Sequence, residues 1–342
     1  MTDDTSTEPL LLVGGSGAVG RWAARLLRAA HPAAPMLIGG RDAGRAQEAA
    51  AEVGGAEAVV VDLAADDLGL GGRAVGAVAV LLRDERAAAL RFAQARGVPH
   101  LSIAPAVHEI GPEVALYAHD PSAAAVVLGA EWLVGATTIP TLEFARGFGR
   151  VFSIVIGALL DDEDVGGPAQ VADLERLTRV PPPALARRDG SYVWRADADA
   201  DATFHAVDGT EMTASALSPY DVVGLGTATG APNVAFYLAT GVSSTRRRGG
   251  PMSTEILIEL AGDDHAGRPI RTRHAVVHPQ GQMPLTGLGM AMLLERLMWA
   301  RQQAARPGRA VLPVPAARAR RLPRPAQGKW AARNRPWNVP KP

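Results

Sequence analysis

Residues 10–27 constrain the fold more than any other stretch. Leu10-Leu11-Leu12-Val13 is a short apolar run. Gly14-Gly15-Ser16-Gly17-Ala18-Val19-Gly20 follows it, and Arg21-Trp22-Ala23-Ala24-Arg25-Leu26-Leu27 continues with apolar residues at helical spacing. The pattern reads as a strand, a glycine turn and an amphipathic helix with Val19, Ala23, Leu26 and Leu27 on its apolar face. Gly15, Gly17 and Gly20 match G-x-G-x-x-G in the strand-to-helix context that gives this pattern its meaning. The first glycine allows the tight turn, the second lets the backbone approach a pyrophosphate, and the third lets helix pack on strand. The helix N-terminus then presents its positive dipole end to phosphate. Ser16, Ala18 and Val19 complete the candidate cofactor cradle. The plainer reading is a glycine-rich turn in a nucleotide-binding type of domain that has lost its ligand.

A second strand, 35–38, ends at Gly39-Gly40-Arg41. An acid at this strand end would bond the 2′-hydroxyl of NAD, whereas an arginine suits the 2′-phosphate of NADP. Arg41, with Arg45 behind it, therefore predicts NADP(H) over NAD(H). The competing role for Arg41 is to cap the helix expected over 43–53. A third strand is expected over 59–63, with Asp62 near the adenine or opening the next turn. The fourth, 76–82, is a continuous apolar run of the kind buried on both faces of a parallel sheet. Leu82 and Arg83 at its end join the cofactor-contact candidates. A helix over 85–96 and a fifth strand over 100–103 follow. Strands alternating with helices predict an α/β, doubly wound parallel sheet of Rossmann type.

A chain of 342 residues has room for about two domains. The expected division is an N-terminal segment 1–8, a nucleotide-binding domain 9–135, a mixed-sheet α+β domain 136–283, a C-terminal helix and closing segment 284–317, and a tail 318–342. In the second domain the pattern predicts a helix over 141–147 laid against the first domain, then a strand over 151–160. A helix over 168–179 follows, with strands over 192–195, 203–207, 234–243, 253–260 and 270–278. A long helix over 284–306 carries Leu285, Leu288, Met292, Leu293, Leu297 and Met298. Past Glu295 the chain has no acidic residue, and the tail is basic and proline-rich.

Cysteine is absent, which excludes thiolate catalysis and disulfides. Lysine occurs only at Lys329 and Lys341, so neither domain offers a catalytic lysine. The formal net charge is +0, giving no polyanion-binding signature and no expectation of a nucleic-acid partner. No apolar run reaches the length of a membrane span, about 18 residues. The polar, acidic N-terminus and the absence of cysteine predict a cytoplasmic protein.

These residues resemble the saccharopine dehydrogenase-like NAD(P)-dependent oxidoreductases. Val13 to Gly20, Gly40-Arg41-Asp42 and Asp62-Leu63 are similar to the family's cofactor half. Thr229-Gly230-Ala231-Pro232-Asn233-Val234, Leu285-Thr286-Gly287 and the segment 307–313 resemble its second half. The resemblance spans most of 9–315. It implies a Rossmann domain, an inserted α+β domain carrying substrate and subunit contacts, a last helix returning to the Rossmann side, and a homodimer. The loops after strands four and five depart from the family's Pro-Phe, Tyr-Val-Asp and Gly-Glu patterns. They read Arg83-Asp84-Glu85 and 104–109, so the family's amino-acid substrate does not carry over with the fold.

Ligands of an open α/β sheet meet the carboxyl ends of its strands. That places Arg83, Asp84, Ser102, His108 and Glu109 near a nicotinamide. A reduction at carbonyl or imine needs a proton donor, and His108 beside Glu109 is the best placed by sequence. The alternative for His108 is an ordinary surface histidine. The second domain adds Tyr220, presented by the Ser218-Pro219 turn, with Asp221, Tyr192, His205 and Tyr237. Arg246-Arg247-Arg248 could hold a substrate anion or simply cover a turn. No metal site is predicted. His274 and His278 lie about 13 Å apart on a strand, too far to share an ion. The leading expectation is an NADPH-dependent oxidoreductase reducing C=N, C=O or C=C of a small organic substrate. The alternatives are an enoyl reductase on carrier-bound acyl chains and a non-catalytic cofactor sensor. A homodimer through the second domain is expected, with the basic tail crossing to acidic runs such as 161–164.

Overall fold

The computed structural model describes residues 8–103, 107–167, 171–172 and 183–304. Strands β1 (Leu10–Val13), β2 (Met36–Gly40), β3 (Ala56–Val60), β4 (Ala77–Val80), β5 (His100–Ile103) and β6 (Val126–Gly129) form one sheet in the order β3-β2-β1-β4-β5-β6. Every pairing is parallel. The order reverses direction between β1 and β4, which leaves a crevice at the carboxyl ends where helix α1 (Ala18–Ala30) begins.

The two faces of this sheet have separate cores. Leu10, Leu12, Ile38, Ala79 and Leu101 face α1 and α2 (Ala43–Val53). Leu11, Val13, Leu37, Val78 and Val80 face Ala89, Phe92 and Ala93 of α3 (Ala88–Ala95). Two-sided burial explains the unbroken apolar runs. The last helix, α8 (Gln282–Ala304), joins the first face through Met290, Ala291, Leu294 and Leu297. It returns to the Rossmann side, packed along α1. Leu288, expected on its apolar stripe, is 44% exposed. Close approach is possible because the helix offers glycine twice. A Cβ on Gly287 would strike Trp22, and one on Gly289 would strike the Val134 carbonyl.

The second sheet has eight strands. The path β10 (Asp201–His205), β11 (Glu211–Ala216), β12 (Asn233–Gly241), β7 (Arg150–Asp161), β13 (Thr254–Asp263), β14 (Pro269–His278) is joined by β8 (Ala184–Arg188) and β9 (Ser191–Arg195) at β12. It is mixed, since β12 and β7 run parallel while β7 and β13 run antiparallel. Helices α5 (Thr138–Ala145) and α6 (Asp221–Thr229) cover one face, over Ile154, Ile156, Val234, Phe236, Ile256 and Ile258. On the other face Phe204 lies over Gly157, whose missing side chain leaves room for the ring. Val234, Phe236 and Ala239 are thus covered within the chain.

Several expectations are corrected. β3 occupies 56–60 rather than 59–63, because Asp62 turns the chain, accepting from the Ala64 N–H at 2.8 Å. The helix expected over 141–147 starts at Thr138 and packs Leu142, Phe144 and Ala145 into the second sheet's core, not on the first domain. β6, β8, β11, α4 (Gly111–His119) and α6 were not foreseen. The segments expected at 168–179, 307–313 and 318–342 lie outside the described residues, apart from 171–172. No described helix is long and apolar enough to cross a membrane.

The Gly289 contact yields a stability prediction. Gly289→Ala should lower the unfolding free energy by about 1–3 kcal/mol, the usual cost of forcing a group into a packed interior. Urea denaturation checks this, and an unchanged midpoint would show that the two backbones can separate at no cost.

Candidate functional site

The glycine turn divides its work differently from the sequence pattern. Gly14, ahead of the motif, carries the left-handed φ of 81° that makes the turn tight. Gly15 is required for packing, since its Cβ would lie 2.8 Å from the Leu12 carbonyl oxygen. Gly20 is required too, with a Cβ position 2.5 Å from the Gly15 carbonyl oxygen. Gly17 differs from both. The only described atom near its Cβ position is the Gly14 carbonyl oxygen at 3.2 Å. Gly17 is also the N-cap of α1, and no side chain caps that end. The first-turn N–H groups of Ala18, Val19 and Gly20 precede any helical acceptor. A Cβ on Gly17 would crowd the Gly14 carbonyl oxygen, but less than one on Gly15 or Gly20 would crowd its own neighbours, and the backbone there is bare. An anionic group at the helix terminus would use it, and a dinucleotide pyrophosphate fits these residues.

Ser16 reaches across to β2, its Oγ lying 3.1 Å from where a Gly40 Cβ would be. Arg41 and Arg45 follow, both exposed, and no ion pair among the described residues involves either one. Arg41 is not the cap of α2. Asp42 is, accepting from the Arg45 N–H at 3.0 Å. On the α3 side a shallow hollow of about 290 Å³ is lined by Leu63, Ala64, Asp66, Arg86, Arg91 and Phe92. It adjoins the turn that Asp62 opens at the carboxyl end of β3.

At the other end of the crevice three segments converge. The Val107 N–H donates to the Ser218 carbonyl at 2.8 Å, and the Tyr220 N–H donates to the Ala130 carbonyl at 2.9 Å. These two bonds bring His108, Glu109 and Tyr220, far apart in sequence, to one junction beside the ends of β5 and β6. His108 is exposed, on a 3₁₀ turn of residues 107–109. Asp221, next to Tyr220, is fully buried. Its carboxylate accepts from the Trp132 N–H at 2.6 Å, the Thr138 hydroxyl at 2.9 Å and the Thr137 hydroxyl. Burial pushes its pKa up, and the three donors oppose that without overcoming it.

Sequence reasoning missed Glu131. It stands two residues past β6, half-buried, and burial together with the Asp221 charge raises its pKa to about 7. The signal lay in Val126-Val127-Leu128-Gly129, a short apolar run whose carboxyl end points to this residue. The chain then takes an unusual path, with positive φ at Leu133 (49°), Val134 (55°) and Gly135 (92°) in succession. Left-handed backbone at a β-branched residue is strained, and such strain clusters at functional sites.

Other expected site residues have local roles. Asp84 accepts from the Ala89 N–H at 2.8 Å, at the start of α3. Arg83 lies 3.8 Å from Glu85. Ser102 is buried and donates to Glu113 at 2.6 Å. Leu82 packs against the second face of the Rossmann sheet and borders Gly14. Tyr237 meets Arg195 through its hydroxyl at 3.0 Å, His205 gives its carbonyl to Arg273, and Tyr192 is 45% exposed. The arginine loop does not present an open anion site. Arg246 pairs with Asp161, Asp162 and Glu163, while Arg247 pairs with Asp208. Asp164 is buried and accepts from Thr254 and from the Gln282 N–H, both at 2.8 Å. The acidic run thus has partners within the chain, while Asp162 and Glu163 stay exposed.

With this geometry the architecture can be compared with known proteins. Saccharopine dehydrogenase (L-Glu forming) from Saccharomyces cerevisiae superposes with a TM-score of 0.58 at 13% identity, over 85% of this chain and 91% of that one. The two chains share one fold. Scyllo-inositol dehydrogenase from Lactobacillus casei, solved with NAD(H) and scyllo-inositol, gives 0.52 at 11% identity over 89% and 91% of the two chains. A myo-inositol dehydrogenase from Corynebacterium glutamicum gives 0.50 at 12% identity over 87% and 89%. No family model matches the sequence, and no curated protein does. The likeness is one of fold.

The buried His100 gives a pH prediction. It is 1% exposed, and burial lowers its pKa from 6.5 to about 4, against a smaller opposing pull from Asp84. The folded state therefore holds it neutral while the unfolded chain protonates it below 6.5. Stability is full above pH 6.5 and falls as pH drops toward 4, by on the order of 3 kcal/mol. His100→Gln should flatten that decline in urea titrations between pH 7 and 4. An equal decline in the variant would assign the pH dependence to other groups.

Proposed function

We propose that this protein is an NADPH-dependent oxidoreductase that reduces a C=O, C=N or C=C bond of a small organic substrate. The observation that carries this reading is the bare backbone at Gly17 beneath the uncapped start of α1. The fold's own packing accounts for Gly15 and Gly20 more fully than for Gly17, which lies at the helix start where a ligand would sit. Gly15 to Gly20 would hold the pyrophosphate, and Asp62 and Leu63 would border the adenosine end. Arg41 would clamp the 2′-phosphate as a bidentate partner, with Leu82 and Arg83 beside the cofactor at the end of β4. When bound, a reduced nicotinamide supplies a hydride. His108, Glu109 and Tyr220 would face the substrate from the junction at β5 and β6. The likeness in fold to dehydrogenases supports the same reading.

The cofactor assignment predicts tighter binding of NADPH than NADH. A charge-assisted pair contributes about 1.5–3 kcal/mol, roughly ten- to a hundred-fold in affinity. Arg41→Ala should remove most of the preference, and Gly17→Ala should abolish binding of both cofactors with a smaller loss of stability than Gly15→Ala or Gly20→Ala. Fluorescence titration of both cofactors against the three proteins tests this. Equal affinities in the wild type would refute the NADPH preference. Normal binding by the Gly17 variant would refute the cradle.

The second sheet supports a homodimer. Val155 and Ala235 are register partners on its outer face and remain half-buried beyond the cover of Phe204. A second copy of the chain would complete that cover by symmetric pairing. Light scattering at micromolar concentration should give twice the chain mass, and Val155→Lys should shift it to the single-chain value. A monomeric wild type would end the dimer reading.

A further inference from the structure

The Glu131 carboxyl accepts a hydrogen bond from its own backbone N–H and meets no cation among the described residues. It is half-buried at the end of β6, and among the described residues no basic side chain pairs with it. The one charged group the structure sets against it is another carboxylate, that of Asp221 on α6. Tyr220 lies on the same side. Its ring atoms are 3.6 Å, and Glu131 Oε1 4.0 Å, from the position a Gly224 Cβ would take. The ring and the carboxyl thus border one bare patch of helix, and the 107–109 turn bearing His108 and Glu109 adjoins it through Ser218.

Two features hold the carboxyl there. Asp221 takes the Trp132 N–H and both threonine hydroxyls, which pins the chain on either side of the turn. Leu133, Val134 and Gly135 then keep left-handed backbone, with α8 pressed against the Val134 carbonyl at Gly289. A carboxyl beside a buried like charge, without a cation, is a poor way to stabilise a fold. It is a good way to keep an acid protonated near neutrality.

We propose that Glu131 is the acid that exchanges the substrate's proton, facing the nicotinamide end of the crevice, with Asp221 as its positioning residue. This rests on the cofactor reading above. In a carbonyl reduction the carbon accepts a hydride, with its two electrons, from the reduced nicotinamide dinucleotide. The C=O π pair moves to oxygen, and that oxygen takes the proton from the Glu131 carboxyl. The carboxylate regains a proton from water. The same placement has a consequence that needs no substrate. An oxidised nicotinamide is cationic and favours ionised Glu131, whereas the reduced ring is neutral and does not.

Calorimetric titration in buffers of different ionisation enthalpy counts the protons exchanged on binding. Near pH 7, NADP⁺ should release more protons than NADPH, by up to about half a proton, the most a group half-ionised at that pH can give up. Glu131→Gln should abolish the difference, and Glu131→Asp should restore part of it. In the cofactor-free protein, ¹³C-carboxyl glutamate spectra should contain one resonance titrating near neutrality that is lost in Glu131→Gln. The proposal is overturned if both cofactors bind but wild type and Glu131→Gln release equal protons, or if no such resonance exists. If neither cofactor binds, the cofactor reading falls, and this proposal with it.

Discussion

The buried carboxylate of Asp221 is the tie on which the junction between the two sheets depends. It is the first residue of α6 in the second domain, yet its three donors come from the segment that leaves β6 of the first. Each of those donors would be costly if left unpaired in the interior, by about 1–3 kcal/mol apiece. Once the tie is made, the neighbouring backbone bonds from Val107 to Ser218 and from Tyr220 to Ala130 follow over a few residues. The crevice at the strand ends thus has a wall built from the second domain, positioned by polar contacts rather than by apolar burial alone.

The last helix supports the same region from behind. Its two glycines allow backbone contact with α1 on one side and with the Val134 turn on the other. One element therefore braces both α1, which follows the glycine turn, and the turn that carries Glu131. Strain at the left-handed Leu133 and Val134 is retained because packing leaves that turn no room to relax. The ion-pair groups of the second domain belong to a different layer of the design. Arg246 and Arg247 gather the ends of β7, β12 and the 208 turn, and Glu255 accepts from Val207, at 3.0 Å, and from Ser244. These arrangements consume charges that a sequence alone leaves looking available.

Two-sided and one-sided burial explain which strands could be read in advance. β1 and β4 are short apolar runs between clear turn signals, and they and β5 lie where the pattern places them. The edge strand β3 was displaced because Val59, Val60 and Val61 look alike to a hydrophobicity pattern, while the Asp62 turn sets the register. β8 and β11 escaped notice because Ala184-Leu185-Ala186-Arg187-Arg188 and Glu211-Met212-Thr213-Ala214-Ser215-Ala216 are rich in alanine and polar residues. Their pairing comes from neighbours distant in sequence.

The sequence by itself determined the Rossmann half, the glycine cradle and the arginine at the end of β2, because each is local. A strand, a turn and a helix sit within a few residues, and their chemistry is set by residue type and spacing. Only the tertiary structure decided that Gly17 is less crowded by the fold than Gly15 or Gly20. It alone decided that Arg246 and the acidic run satisfy one another, and that His108, Glu109, Tyr220 and Glu131 meet at one junction. Those outcomes depend on desolvation and on contacts between residues nearly a hundred positions apart. Neither composition nor periodicity carries that information, since the environment that raises Glu131 and buries Asp221 exists only once both domains have packed.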